Sequence, residues 1–198
     1  QSEAITGKRF VRYWLHAEHL MVEGQKMSKS LGNFYTLRDI IGKGYSPEAI
    51  RYLLVSAHYR KQLNFTFEGL KGAAAALDRL RNFQWRLQNE RLPEGVNPQM
   101  EERTAAARTA FDTGLDDDLN TSDALAAIYE YVRDANTAMD GGGFLGGNVP
   151  AALALLDTFD AIFDVLRPSA QDGALGDAEI DEKVAERTRA KKAKDFQR

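Results

Sequence analysis

Lys26-Met27-Ser28-Lys29-Ser30, followed at once by Leu31-Gly32-Asn33, is the stretch on which the reading of this chain turns. Its two lysines stand three residues apart, flanked by hydroxyls and closed by a glycine, so a mobile loop built from it can carry two ammonium groups to one polyanion. Average residue usage puts the chance of this five-letter string at any one position at about one in a million. It is far more specific than a generic lysine-rich loop.

Working outward from it, residues 9 to 22 hold Phe10, Val11, Tyr13, Trp14, Leu15, Leu20, Met21 and Val22, an aromatic-rich stretch ending in a short apolar run. Glu23-Gly24 reads as a turn between two short strands, which would present Lys26 to Ser30 at a strand end. Trp14 and His16 suit the floor of a site, but a buried aromatic and a satisfied core histidine are the commoner fates. Gln1 to Ile5 reads as the end of a helix closed by Gly7. Downstream, Thr36 and Asp39 have capping-box spacing and predict a short helix over 37–41, ended by Gly42 and Gly44. Ser46 then caps a helix with Pro47 in its first turn and Ile50, Leu53, Leu54 and Ala57 on one face. Arg51 is expected to point elsewhere, toward solvent or a phosphate. His58-Tyr59-Arg60-Lys61 makes a polar exit, fit either for contact with a nucleic acid or for a solvated connector.

Four amphipathic helices are expected next. Thr66 opens one with Leu70, Ala73, Leu77, Leu80, Gln84 and Leu87 at steps of three and four, stopping near Pro93, Gly95 and Pro98. A second runs from Met100 to Thr113 and ends at Gly114. Asp116 to Asp118 resembles part of a calcium loop, but the twelve-residue ligand spacing is missing, and capping by Asn120 or Thr121 is the better reading. Leu125, Ile128, Val132, Ala135 and Met139 form the stripe of a third helix. Gly141 to Gly147 is expected to be the most flexible loop, a connector that lacks the lysine and hydroxyl of a phosphate loop. Pro150 starts a fourth helix with Leu153, Leu156, Phe159, Phe163 and Leu166 inward, ended by Pro168.

The chain has 198 residues, 43% hydrophobic and 28% charged, with a formal net charge of −3. That length can bury a sizeable core in one large or two small domains. No apolar run approaches the roughly 20 residues of a membrane helix and no signal peptide opens the chain, so a cytoplasmic protein is expected. Absence of cysteine excludes disulfides and thiolate metal sites. His16, His19 and His58 match no common zinc spacing, and no metal site is expected within the chain.

Lys-Met-Ser-Lys-Ser resembles the second signature of class I aminoacyl-tRNA synthetases. The context Leu31 to Asp39, the run Pro47 to Leu54 leading to Ser56-Ala57-His58-Tyr59-Arg60, and Asp116-Asp117-Asp118-Leu119-Asn120-Thr121 are similar to the cysteine-specific members. The resemblance implies a mainly α chain. Residues 1–62 would be the end of a class I, Rossmann-type catalytic domain with the signature loop, and 63–168 an antiparallel, DALR-like helical bundle of tRNA-binding type. Residues 169–198 would be a linker and a further basic helix. It implies ATP with Mg, cysteine and tRNA(Cys) as partners of a full-length monomeric enzyme. Lys29 and Lys26 would be catalytic, and Lys29, Lys26, Ser28 and Ser30 would hold the ATP phosphates. Met27 would pack against the catalytic domain. Zinc is expected only in the full-length enzyme, with ligands upstream of Gln1, as is the other ATP signature of the class. The chain is therefore expected to be a piece cut at both ends and inactive alone.

Two features stay open at this stage. From Lys183 to Arg198 there are seven basic and two acidic residues, a local +5, with Arg187, Lys191, Lys194 and Arg198 on one helical face. A tRNA-facing helix and a solvated surface fit this equally. Two other functions also fit the loop: a portion of the related cysteine ligase of mycothiol synthesis, or a non-catalytic tRNA-binding module.

Overall fold

A computed structural model describes residues 1–167, and helices dominate them. The first is α1 (Ser2–Thr6), closed by Gly7 in the left-handed conformation as its sequence predicts. An irregular segment leads to β1 (Met21–Val22) and β2 (Gln25–Lys26), an antiparallel hairpin with Val22 opposite Gln25. Both turn residues have positive φ, Glu23 at 49° and Gly24 at 76°, the pattern of the tight turn that matches strand twist. A third strand, β3 (Asn64–Phe65), pairs parallel to β1 and gives the order β2-β1-β3. Two residues are too few to show a period, so β3 leaves no mark in the sequence.

The capping box of Thr36 and Asp39 forms, and α2 (Leu37–Gly42) follows it. Ser46 caps α3 (Pro47–Val55), whose buried face holds Ala49, Ile50, Tyr52 and Leu53. Leu54, expected inward, is 45% exposed, because the buried arc centres one residue earlier and Tyr52 fills the space. That arc packs on α4 (Phe67–Asn89). On α4 the core positions are Leu70, Ala73, Leu77, Leu80, Phe83 and Leu87, with Phe83 in the place expected of Gln84. The ring of Phe83 meets Tyr131 edge-on at 6.1 Å.

Asn97 caps α5 (Pro98–Asp116), and Asn120 caps α6 (Thr121–Asp140). Gly114 does not end α5. It lies buried within the helix, where a β-carbon would stand 2.8 Å from the Ala124 amide nitrogen, so its missing side chain lets α5 and α6 approach. The predicted stripe of α6 is buried throughout. A short 3₁₀ turn (Gly146–Asn148) leads into α7 (Val149–Phe163), which buries Ala152, Leu155, Leu156, Phe159 and Phe163. Leu155 takes the inward place expected of Leu153. The helix stops at Asp164, itself left-handed at φ 51°, before Pro168 is reached.

The long helices α4 and α5 each pack against α6 and α7, around one core that also takes in Val22, Ile40 and Ile50 from the first third of the chain. The glycine-rich segment after α6 is fastened rather than loose. Phe144 is fully buried, and Gly146 and Gly147 donate to the carbonyls of Pro93 and Gly95, each at 2.8 Å. Its flexibility was expected from composition alone, which does not register that glycine permits close backbone contact. Among the described residues no helix is long and apolar enough to cross a membrane.

Candidate functional site

The hairpin delivers the Lys26–Ser30 stretch to the surface, and four anchors hold the hairpin. Met21 and Glu23 donate from their amides to Leu63 and Phe65 carbonyls, both at 2.9 Å. Gly24 donates to Asn64 Oδ1 at 2.8 Å, and Glu23 Oε1 accepts the Phe67 amide at 3.0 Å. Beyond the loop, Tyr35 meets Phe67 edge-on at 5.3 Å, with Tyr45 and Phe65 on the same ring. The stretch thus leaves and rejoins a fixed frame.

Lys26, Lys29 and Ser30 are exposed, while Ser28 is half-buried and Met27 packs against the core. Ser28 and Ser30 are brought together, their hydroxyl oxygens 2.7 Å apart, and the Ser30 amide donates to Ser28 Oγ at 3.2 Å. Gly32, at φ 66°, closes the turn by donating to the Lys29 carbonyl at 3.2 Å. The Asn33 carboxamide fastens the two limbs, accepting the Ser28 amide at 2.8 Å and donating to the Lys26 carbonyl at 3.1 Å. Lys29 Nζ lies 5.6 Å from the centre of the Phe34 ring. Neither Lys26 nor Lys29 makes an ion pair among the described residues. Two positive charges therefore stand on a clasped loop without counter-ions among the described residues.

Other sequence-marked residues fall elsewhere. Trp14 is 70% exposed and stacks on an exposed His16 at 6.0 Å, so neither is the core residue expected, because no described element covers that segment. Arg51 is exposed, as expected, and its Nε also donates to the Phe163 carbonyl at the end of α7. Tyr59 and Arg60 are tied to Asp118, through the Tyr59 hydroxyl at 2.7 Å and Arg60 Nε at 2.6 Å. The guanidinium, and then the phenol, hold the Asp118 carboxyl below its ordinary range. Both carbonyl-binding and carboxylate-binding roles were beyond local reading, since the partners lie 112 and 58 residues away. Arg187, Lys191, Lys194 and Arg198 lie outside the described residues.

A groove of about 450 Å³ runs between α4 and α6, lined by Arg79, Tyr129, Glu130, Val132, Arg133 and Asn136. Burial, and then the neighbouring Tyr52 hydroxyl, push the Tyr129 hydroxyl far above its ordinary value, so it stays protonated. Among the described residues no cluster of three or more histidine, aspartate and glutamate side chains could hold a metal ion.

Residues 1–75 match the model described as the catalytic domain of class I (C) tRNA synthetases, and residues 110–167 match the DALR domain. A solved ternary complex of an Agrobacterium radiobacter LeuRS with tRNA and LeuAMS shares the fold, with a TM-score of 0.55 at 20% identity over 73% of this chain and 20% of that one. Both matches are to parts of class I aminoacyl-tRNA synthetases, and that is the class this chain is similar to. Within that class its sequence is similar to the cysteine–tRNA ligases along essentially its whole length. It is 62% identical to the one from Solibacter usitatus over 99% of this chain and 42% of that protein. The one from Koribacter versatilis is 44% identical over 100% of this chain and 46% of its own length. The chain thus spans less than half the length of these curated relatives.

Proposed function

We propose that this chain supplies the phosphate-binding loop and the tRNA-side helices of an ATP-dependent ligase. That ligase activates cysteine as cysteinyl-adenylate and transfers it to tRNA(Cys). The observation that carries the reading is the pair of exposed ammonium groups of Lys26 and Lys29, without an ion pair among the described residues, on a loop fastened at both ends. In activation the amino-acid carboxylate attacks the α-phosphate of ATP and pyrophosphate leaves. Negative charge grows on the phosphoryl oxygens and the leaving group, so catalysis is mainly positioning and charge stabilisation. Lysine suits this role as a compact charge on a flexible stem that follows the phosphates.

Lys29 is assigned to the ATP phosphates first and Lys26 second, with Ser28 and Ser30 donating hydroxyl hydrogen bonds. Mg²⁺ arriving with ATP would neutralise part of the same charge. In this assignment residues 1–62 belong to the catalytic domain, 63–168 to the bundle facing tRNA, and 169–198 to a linker and a basic helix that carries Arg187, Lys191, Lys194 and Arg198. The thiol-selecting zinc of such an enzyme finds no ligand set among the described residues.

The test is single-turnover adenylate formation in a protein of the relatives' length. Lys29→Ala is expected to slow it by orders of magnitude with a smaller loss of ATP affinity, and an unchanged rate would overturn the assignment. The present chain alone is expected to give no cysteine-dependent exchange between pyrophosphate and ATP. Its tRNA side is tested by a gel shift that weakens as salt rises.

A further inference from the structure

We propose that Asn33 is the positioning residue of the Lys26–Ser30 loop, its carboxamide setting the shape in which the lysines meet a polyphosphate, with Phe34 as the resting place of Lys29. The proposal rests on the reading of that loop as the phosphate-binding element. The hydrogen bonds within the turn are local: Ser30 to Ser28, and Gly32 to Lys29. Among the described residues, Asn33 alone joins the turn back to β2, through the Lys26 carbonyl at 3.1 Å, while its own oxygen receives the Ser28 amide at 2.8 Å. Holding one carbonyl and one amide at once requires a side chain with both a donor and an acceptor on a planar head, which asparagine has and leucine, alanine or aspartate lacks. Without it the turn carrying Lys29 is tethered to the hairpin only by the main chain and the packing of Met27.

The Lys29 ammonium lies over the face of Phe34, itself 46% exposed, within the reach of a cation–π contact. Such a contact at the surface is weak next to a polyphosphate, so it stores the cation near the loop without competing with the ligand. Asn33 holds the loop's shape, and Phe34 holds its charge until an anion takes it.

The experiment titrates inorganic tripolyphosphate into this chain and follows backbone amides 28–30 and the Lys29 side-chain methylenes by nuclear magnetic resonance, with amide exchange and thermal midpoint recorded in parallel. Wild type is expected to saturate, and Lys29→Ala to lose the response. Asn33→Ala is expected to speed exchange of the Ser28 amide and to weaken binding by about tenfold, the loss of roughly one charge-competent hydrogen-bonded geometry, with the midpoint unchanged. Phe34→Leu should abolish the ring-current shift of the Lys29 methylenes while binding stays at least as tight. Binding and exchange in Asn33→Ala equal to wild type would overturn the inference and leave the loop assignment standing. A lowered midpoint with unaltered loop amides would assign Asn33 to fold stability instead and overturn it too. Absence of any Lys29-dependent binding in wild type would overturn the loop assignment, and the inference with it.

Discussion

At the scale of single residues, the chain shows how a side chain's value depends on what faces it. Gly114 is a clear case, because on sequence it looks like a helix stop and in the fold it is a contact point. Alanine there would gain helix propensity of up to about 1 kcal/mol. The added β-carbon, however, would stand 2.8 Å from the Ala124 nitrogen, and backbone on a packed helix does not give way cheaply. Gly114→Ala is therefore expected to destabilise by about 1–3 kcal/mol in urea unfolding, and a stabilised variant would show that α5 and α6 separate freely. Asp118 makes a second prediction. Arg60, then Tyr59, lowers its folded-state value, and the Thr36 hydroxyl and amide do the same for Asp39. Both groups thus add stability that is fully present above the unfolded carboxylate value of roughly 3.9 and is lost as pH falls through the lower folded value. In a carboxyl-carbon titration Asp118 should show a midpoint below the usual range, and Arg60→Ala should bring it back up. An Asp118 midpoint unmoved by that substitution would remove Arg60 as the cause.

Between elements, the ends of helices are where side chains from distant segments do the fastening. The last carbonyls of α7 and the residues after it have no partner within the helix. Arg51 of α3 takes the Phe163 carbonyl, and Arg81 of α4 takes Leu166 and Val165 at 3.0 and 2.9 Å. Asp160 Oδ1 receives the amides of Val165 and Leu166 at 2.9 and 2.8 Å. Arg81→Ala strips two carbonyls of a charged donor and is expected to cost about 1.5–3 kcal/mol in urea unfolding. Arg81→Lys should recover only part of this, because an ammonium cannot span two acceptors as the planar fork does. Full recovery by lysine would show that charge alone matters there. These ties explain which parts of the fold could be read beforehand. Caps, prolines and three-four stripes are local, and Thr36, Ser46, Asn120 and the α6 stripe were all legible. Strand β3, the destination of Arg51 and the clasp of Asn33 depend on segments or orientations that no window of sequence contains. The loop itself was legible from its letters, but not what holds it.

For the whole molecule, the question is whether the segment bearing the loop and the long helices stand or fall together. The core is one continuous cluster, running from Val22 and Ile40 through Ile50 and Leu53 into Leu70 and on to Phe159 and Leu166. The face of α3 packs on α4, Ser122 of α6 donates to the Ser56 carbonyl at 3.1 Å, and Asp118 holds Tyr59 and Arg60. A core shared in this way should unfold in one cooperative step. Ile50→Ala, 3% exposed in α3, and Leu156→Ala, fully buried in α7, each remove several buried methyl and methylene groups. Each is expected to cost about 2–5 kcal/mol and to move the same transition. Tryptophan emission is a poor probe, since Trp14 and Trp85 are 70% and 61% exposed in the folded state. The near-ultraviolet signal of buried Tyr52 and Tyr131 is the better one, because Tyr52 sits at the α3 side and Tyr131 inside the helices. Monitored this way alongside helix content, both variants should show coincident urea transitions at lower midpoints. If Ile50→Ala instead split the unfolding into an early step and a late one unchanged from wild type, the loop-bearing segment would be a separable layer. The frame that holds Lys26 and Lys29 would then have to be stabilised by something other than the helices beneath it.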